Sequence, residues 1–173
     1  MIHTNKVTVT GCNGFVGQAL CEYLFNINYD VLGTVRDGSM AIRDFKCVSL
    51  GEIDSDTDWS PALRGRDTVV HLAGRAHVLR DGSNSPISEF RRVNTLGTIN
   101  LAQQAIKYGI SRFIFISSVG VNGFISKGDP FSVDSLEAPH SPYAKSKFEA
   151  ELSLKKLVSN SQMELVIIRS PAI

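Results

Sequence analysis

Long apolar runs are missing from this 173-residue sequence: none approaches the length that spans a bilayer, and the first residues, MIHTNKVTVTG, hold no apolar leader core. An excess of one charge is missing too. Eighteen lysines and arginines against 17 aspartates and glutamates leave a net charge of +1, which excludes the concentrated cationic footprint that nucleic acids and anionic membranes require. Cysteine is scarce. Cys12, Cys21 and Cys47 show no metal-ligand spacing and, being three, cannot all pair within one chain, so reduced thiols in a cytosolic setting are expected and no metal site is. No repeat, low-complexity segment or linker interrupts the sequence, so one domain is expected over residues 1–173. Together these absences predict a soluble, cytoplasmic protein with neither a nucleic-acid nor a membrane partner.

What is present is ample apolar material, 43% of the residues, arranged in two alternating patterns. Short β-rich runs occur at KVTVT (6–10), DVLGTV (30–35), FKCVSL (45–50), TVVHLA (68–73), RFIFISS (112–118) and ELVIIR (164–169). They are apolar almost throughout, as parallel strands buried on both faces are. Between them, residues 14–26, 86–109 and 141–160 space their apolar side chains at three and four, the pattern of core-facing helices, and SPAL (60–63) predicts a short helical turn. Repeated βαβ of this kind predicts an α/β domain: a doubly wound parallel sheet, the Rossmann fold, of about six strands with helices on both faces. Two long connections, 74–85 and 119–140, leave the carboxyl ends of strands, where ligands bind in open sheets.

The first strand runs into VTGCNGFVG, which places Gly11, Gly14 and Gly17 ahead of the first helix. Glycine tolerates the positive φ of a tight turn and lets main-chain N–H groups approach a pyrophosphate at the positive end of a helix. The spacing is GxxGxxG rather than GxGxxG, and the strand before it and the helix after it point to a dinucleotide. Cys12 inside the turn reads as a packed, inert thiol. At the end of the second strand, where an acid would bind a ribose 2′-hydroxyl, stand Val35, Arg36 and Asp37. Arg36 there favours NADP over NAD, unless it is a surface charge paired with Asp37.

A second cluster lies in YAKSK. Tyr143 and Lys147 are four residues apart, on one helix face, and Ser118 ends the fifth strand on the same edge of the sheet. A tyrosine that acts as a base near neutrality must have its phenolate favoured, each tenfold gain in phenolate needing about 1.4 kcal/mol, and a neighbouring ammonium supplies that. His71 reads as a core or strand-end histidine, and Asn94 as a helix-face amide or something more.

TGCNGFVG, TVVHLAG, VNTLGTINL, FISSVGVNG, YAKSK and RSPAI occur in that order and cover nearly the whole chain. In this it resembles the extended short-chain dehydrogenase/reductases, the nucleotide-sugar epimerase and dehydratase branch. The resemblance implies that Tyr143 is the general acid/base, that Lys147 binds the nicotinamide ribose and lowers the tyrosine pKa, and that Ser118 hydrogen-bonds the reacting oxygen. It implies a dinucleotide site over Gly11, Asn13, Gly14, Phe15, Val16 and Gly17, with Glu52 and Ile53 near adenine, Leu72, Ala73 and Gly74 along the adenosine and pyrophosphate, and Asn94 steadying the cofactor region.

Dehydratases of this branch follow the catalytic serine or threonine with an Asp-Glu pair, whereas Ser118 is followed by Val119 and Gly120. That leaves hydride chemistry at C4 of a UDP-sugar, either epimerisation or NADP-dependent reduction of a 4-keto sugar, with a non-catalytic dinucleotide-binding module and an aryl or steroid ketoreductase as alternatives. SSVGVNG resembles a subgroup that serves bacterial polysaccharide precursors. Relatives continue past the RSPAI position into a substrate lobe, so the expectation is a cofactor domain that binds dinucleotide and turns over slowly or not at all. In the family, helices matching 86–109 and 141–160 pair in homodimers, which the apolar content here permits.

Overall fold

Valine and threonine alternate in KVTVT, and Lys6–Thr10 forms the first strand, β1, of a computed structural model that describes residues 5–37, 45–76, 86–126 and 128–171. The remaining strands are β2 (Asp30–Val35), β3 (Lys46–Ser49), β4 (Thr68–His71), β5 (Arg112–Ser118) and β6 (Glu164–Ser170). Every neighbouring pair is parallel, in the order β3-β2-β1-β4-β5-β6. After β3 the chain crosses to the far side of β1, so the order reverses between β1 and β4 and a crevice opens at the carboxyl ends of those two strands.

The period of two divides the core into two layers. Val7, Val9, Val31, Val35 and Val70 pack with Cys12 and Cys21 on the side of helix α1 (Phe15–Asn26). Val69, Phe113 and Phe115 pack on the other side with Trp59, with Ala62 and Leu63 of α2 (Ser60–Leu63), and with residues of two later helices. The threonines of β1 face this second layer and need partners there: Thr8 Oγ donates to the Ala62 carbonyl at 2.5 Å, and Thr10 reaches His71. Among the described residues no helix is long and apolar enough to cross a membrane.

Two expected elements come out differently. The helix predicted over 86–109 is three pieces, α3 (Pro86–Phe90), a π-helical segment (Arg91–Gly97) and α4 (Thr98–Lys107). Such widened turns collect at functional sites, and this one contains Asn94. The strand predicted to reach Ala73 stops at His71, because the N–H groups of Leu72 and Ala73 turn to Thr10 Oγ at 3.1 and 3.0 Å. The helix predicted over 141–160 is α5 (Pro142–Val158). Ser141 Oγ caps it by accepting from the Ala144 N–H at 3.0 Å, and proline sits in its first turn. Of the long connections, 74–85 lies outside the described residues beyond position 76.

α5 is fastened to the sheet by charge. Glu151 is 1% exposed, accepts from Ser117 Oγ at 2.5 Å and from Arg169 Nη2 at 2.7 Å, and Arg169 also reaches Glu137 at 2.9 Å. The carboxylates hold the Arg169 guanidinium well above its usual pKa. Replacing Arg169 by methionine strands the buried Glu151 charge. We expect a loss of about 3–5 kcal/mol in urea denaturation; a loss under about 1 kcal/mol, the value of an exposed pair, would contradict this.

Candidate active site

The glycine turn is built by close approach. Gly11 has φ 67°, and a Cβ on it would lie 3.0 Å from Ala73 Cα. The N–H groups of Gly11 and Cys12 both bond the Thr34 carbonyl, at 3.1 and 3.2 Å, which ties the turn to β2. Gly17, one turn into α1, lies under the turn: a Cβ there would collide with the Gly11 carbonyl oxygen and come within 2.9 Å of Cys12 Cα. Burial pushes the Cys12 thiol far up, with Cys47 adding to it, and pushes Cys21 up to about 12, so both are protonated, inert packing groups.

A cavity of about 240 Å³ opens over this turn. Of the residues expected to meet a dinucleotide, Gly11, Asn13, Gly14, Arg36, Glu52, Ile53, Leu72, Ala73 and Gly74 line it. Phe15, Val16, Gly17, Asn94, Tyr143 and Lys147, also expected to meet it, do not. Phe15 is 83% exposed, Val16 is half-buried, and Gly17 is buried where it supports the turn. Trp59 and Arg92 line the cavity too, although nothing in their spacing predicts it. Arg92 pairs with its helix neighbour Glu89 at 3.1 Å, and only the fold brings it to Glu52 at 2.9 Å and Asp54 at 3.7 Å. Trp59 is fully buried as well as cavity-lining.

Ser118, Tyr143 and Lys147 lie outside that lining, Lys147 being next to one of its residues, Gly74. Gly120 lies between Ser118 and Ala144 of α5: a Cβ on it would be 3.3 Å from Ser118 Oγ and 3.5 Å from Ala144 Cβ. Ser118 Oγ accepts from the Gly120 N–H at 3.1 Å, and no acceptor among the described residues takes its proton. Lys147 Nζ comes within 4.0 Å of the Cβ position of the cavity residue Gly74 and lies 4.3 Å from the centre of the Phe115 ring. Asn94 lines neither place but joins them. Its Oδ1 accepts from the Arg75 N–H at 2.8 Å, and its Nδ2 donates to the Arg75 carbonyl at 3.0 Å and to Ser146 Oγ at 3.1 Å.

The electrostatics depart from the expectation that Lys147 lowers the tyrosine. Burial moves the Tyr143 hydroxyl upward instead, with the Phe90 ring edge-on at 6.0 Å. Lys147 has less charge to offer because its own burial pushes it down to about 7, against the opposing carboxylate of Glu151; the face of Phe115 also favours the cation.

His71, fully enclosed, bonds Thr10 Oγ through Nδ1 at 2.7 Å and Thr98 Oγ through Nε2 at 2.9 Å. Burial, with Lys147 adding, pushes it down from 6.5 to about 3. Between those values the unfolded chain binds the extra proton, so stability falls as pH drops below about 6.5, by up to ~1.4 kcal/mol per pH unit. Urea midpoints between pH 7 and 5, above the ordinary carboxylate range, are expected to show this decline; a flat profile would mean that His71 is protonated as readily folded as unfolded.

The geometry has counterparts. The model of the NAD dependent epimerase/dehydratase family matches residues 7–173. UDP-glucose 4-epimerase of Vibrio cholerae is 43% identical over 166 residues, covering 95% of this chain and 50% of that protein. A short-chain dehydrogenase/reductase superfamily protein from Agrobacterium tumefaciens with bound NAD superposes at a TM-score of 0.81 and 28% identity, over 94% of this chain and 48% of that one. UDP-glucuronic acid 4-epimerase from Bacillus cereus in complex with NAD superposes at 0.81 and 27%, over 96% and 56%. The chain thus spans about half the length of such relatives. With a match from the first strand to the last residue, the chain belongs to the NAD dependent epimerase/dehydratase family.

Proposed function

We propose that this chain carries the dinucleotide site and the proton-transfer residues of a UDP-sugar 4-epimerase. The observation that supports it most is that Lys147 Nζ lies against Gly74 of the cavity lining while Gly120 brings Ser118 near Ala144, the neighbour of Tyr143 on α5. The tight cradle of Gly11 against Ala73 suits a pyrophosphate that must approach main-chain N–H groups closely.

When bound, NAD would supply a reversible acceptor for the hydride from C4 of the sugar. The chain's own groups handle the proton. Tyr143 takes it from the C4 hydroxyl and returns it to the same oxygen after the ketone has presented its other face. Ser118 donates its free hydroxyl proton to that oxygen, and Lys147, one turn along α5, would hold the nicotinamide ribose. The family name covers dehydratases as well, but Val119 and Gly120 after Ser118 offer no acid for water elimination.

Arg36 supports a second reading, NADP-dependent reduction of a 4-keto sugar, because it lines the cavity beside Val35 where a ribose-binding acid would stand. Leu96 and Leu152, 48% and 51% exposed on the π-helical segment and α5, support self-association through those helices; a sedimentation mass of one chain would remove that part.

The test is Tyr143→Phe in the protein expressed from its complete reading frame. We expect interconversion of UDP-glucose and UDP-galactose to fall at least ~100-fold, with NAD affinity unchanged. Retained turnover would remove the tyrosine from the mechanism. Net consumption of NADPH by the unaltered protein, abolished by Arg36→Ala, would favour the reductase.

A further inference from the structure

His71 is not itself in the cavity lining, yet it is fully buried directly behind it, next to Leu72 in the chain and edge-on to Trp59. Hydrogen-bond accounting fixes its form. Thr10 Oγ accepts from the N–H groups of Leu72 and Ala73, at 3.1 and 3.0 Å, so both of its lone pairs are used and its own proton goes to His71 Nδ1 at 2.7 Å. At the other end Thr98 Oγ gives its proton to the Asn94 carbonyl at 2.7 Å and therefore accepts from His71 Nε2 at 2.9 Å. The imidazole is neutral, with its proton on Nε2. Aromatic walls enclose it, Trp59 at 6.5 Å, Phe113 at 6.1 Å and Phe115 stacked at 5.8 Å between ring centres.

The two ends of this chain of bonds lead to different parts of the site. On the Thr10 side they hold Leu72 and Ala73 in the cavity wall. On the Thr98 side they hold Asn94, whose side chain clamps both main-chain groups of Arg75 and donates to Ser146 Oγ. Ser146 lies between Tyr143 and Lys147, donates to the Tyr143 carbonyl at 2.7 Å, and has its own carbonyl bonded by Thr95 Oγ at 2.9 Å.

We propose that His71, as the neutral Nε2–H tautomer, is a positioning residue that sets the cavity wall at Leu72–Ala73 and the catalytic turn of α5 in a single register. The inference rests on the dinucleotide reading of the cavity. A ring with the proton moved to Nδ1 faces a Thr10 hydroxyl whose lone pairs are already used, and leaves Nε2 with no donor at Thr98. The coupling therefore depends on one tautomer rather than on the volume of the ring.

Three variants separate positioning from packing, with NADH affinity read by calorimetry at a temperature where each is folded. His71→Phe fills the space but leaves the Thr10 hydroxyl proton without an acceptor and removes the donor to Thr98 Oγ, and is expected to weaken NADH binding roughly 10-fold or more. His71→Asn keeps an acceptor at the Nδ1 position for Thr10 and is expected to hold affinity within about 3-fold of the parent, whereas His71→Gln keeps only a donor for Thr98 and loses affinity like phenylalanine. Unchanged binding in His71→Phe, or equal losses in the Asn and Gln variants, would overturn the proposal. A second measurement needs no variant. In ¹⁵N-histidine spectra of the parent chain, Nδ1 is expected in the unprotonated range and Nε2 in the protonated range from pH 8 to 5.5; an Nδ1–H or doubly protonated ring would also overturn it. If the parent binds no NADH, the dinucleotide reading fails, while the tautomer result stands by itself.

Discussion

Where the strand order reverses, two main-chain N–H groups leave the sheet with no strand to receive them, and one hydroxyl, that of Thr10, takes both. Much follows from this. A buried donor left unpaired costs about 1–3 kcal/mol, so β4 can end at His71 only because β1 ends in a residue able to accept twice. The accepting hydroxyl must then dispose of its own proton, which requires an imidazole nitrogen beside it. That imidazole must in turn reach a second hydroxyl, on α4. The crevice that topology opens is thereby walled by a peptide whose position is fixed by side chains.

α5 adds the charged half of the arrangement. Tyr143, Lys147 and Glu151 recur every four residues on one face, running from the crevice down into the sheet. The lower end is anchored by Arg169 and Ser117, and the upper end by Ser146 and Thr95, so the helix has little freedom to slide. Between these anchors lies a lysine that burial has brought to about 7, close to the pH at which a proton exchanges readily.

Sequence spacing makes the sheet legible because strands buried on both faces are apolar throughout and glycine marks the turn that no other residue fits. Strands 6–10, 30–35 and 112–118 have the limits that the spacing predicts. The same spacing misses the π-helical segment, since a widened turn keeps the helical alternation of apolar residues and differs by a single main-chain step. It does not convey that Phe15, which follows the glycines, is exposed, and it has no means to bring Arg92 to Glu52 or Trp59 to the cavity, since those neighbours are distant in sequence. A lysine four residues from a tyrosine predicts a lowered tyrosine pKa, because spacing conveys charge but not burial. Burial is a property of the assembled fold, and it moves Tyr143 the other way.

Every role assigned to the glycine turn, the Leu72–Ala73 wall and α5 requires a dinucleotide in the cavity between them. Trp59 is the single tryptophan, is fully buried and lines that cavity, so its emission reports on the site alone. Titration with NADH is predicted to quench it saturably at one equivalent per chain, with energy transfer to the nicotinamide, and Gly17→Ala, which drives the helix off the turn, is predicted to abolish the signal. Emission that stays unchanged as NADH is added, with the protein folded, would contradict a dinucleotide site there.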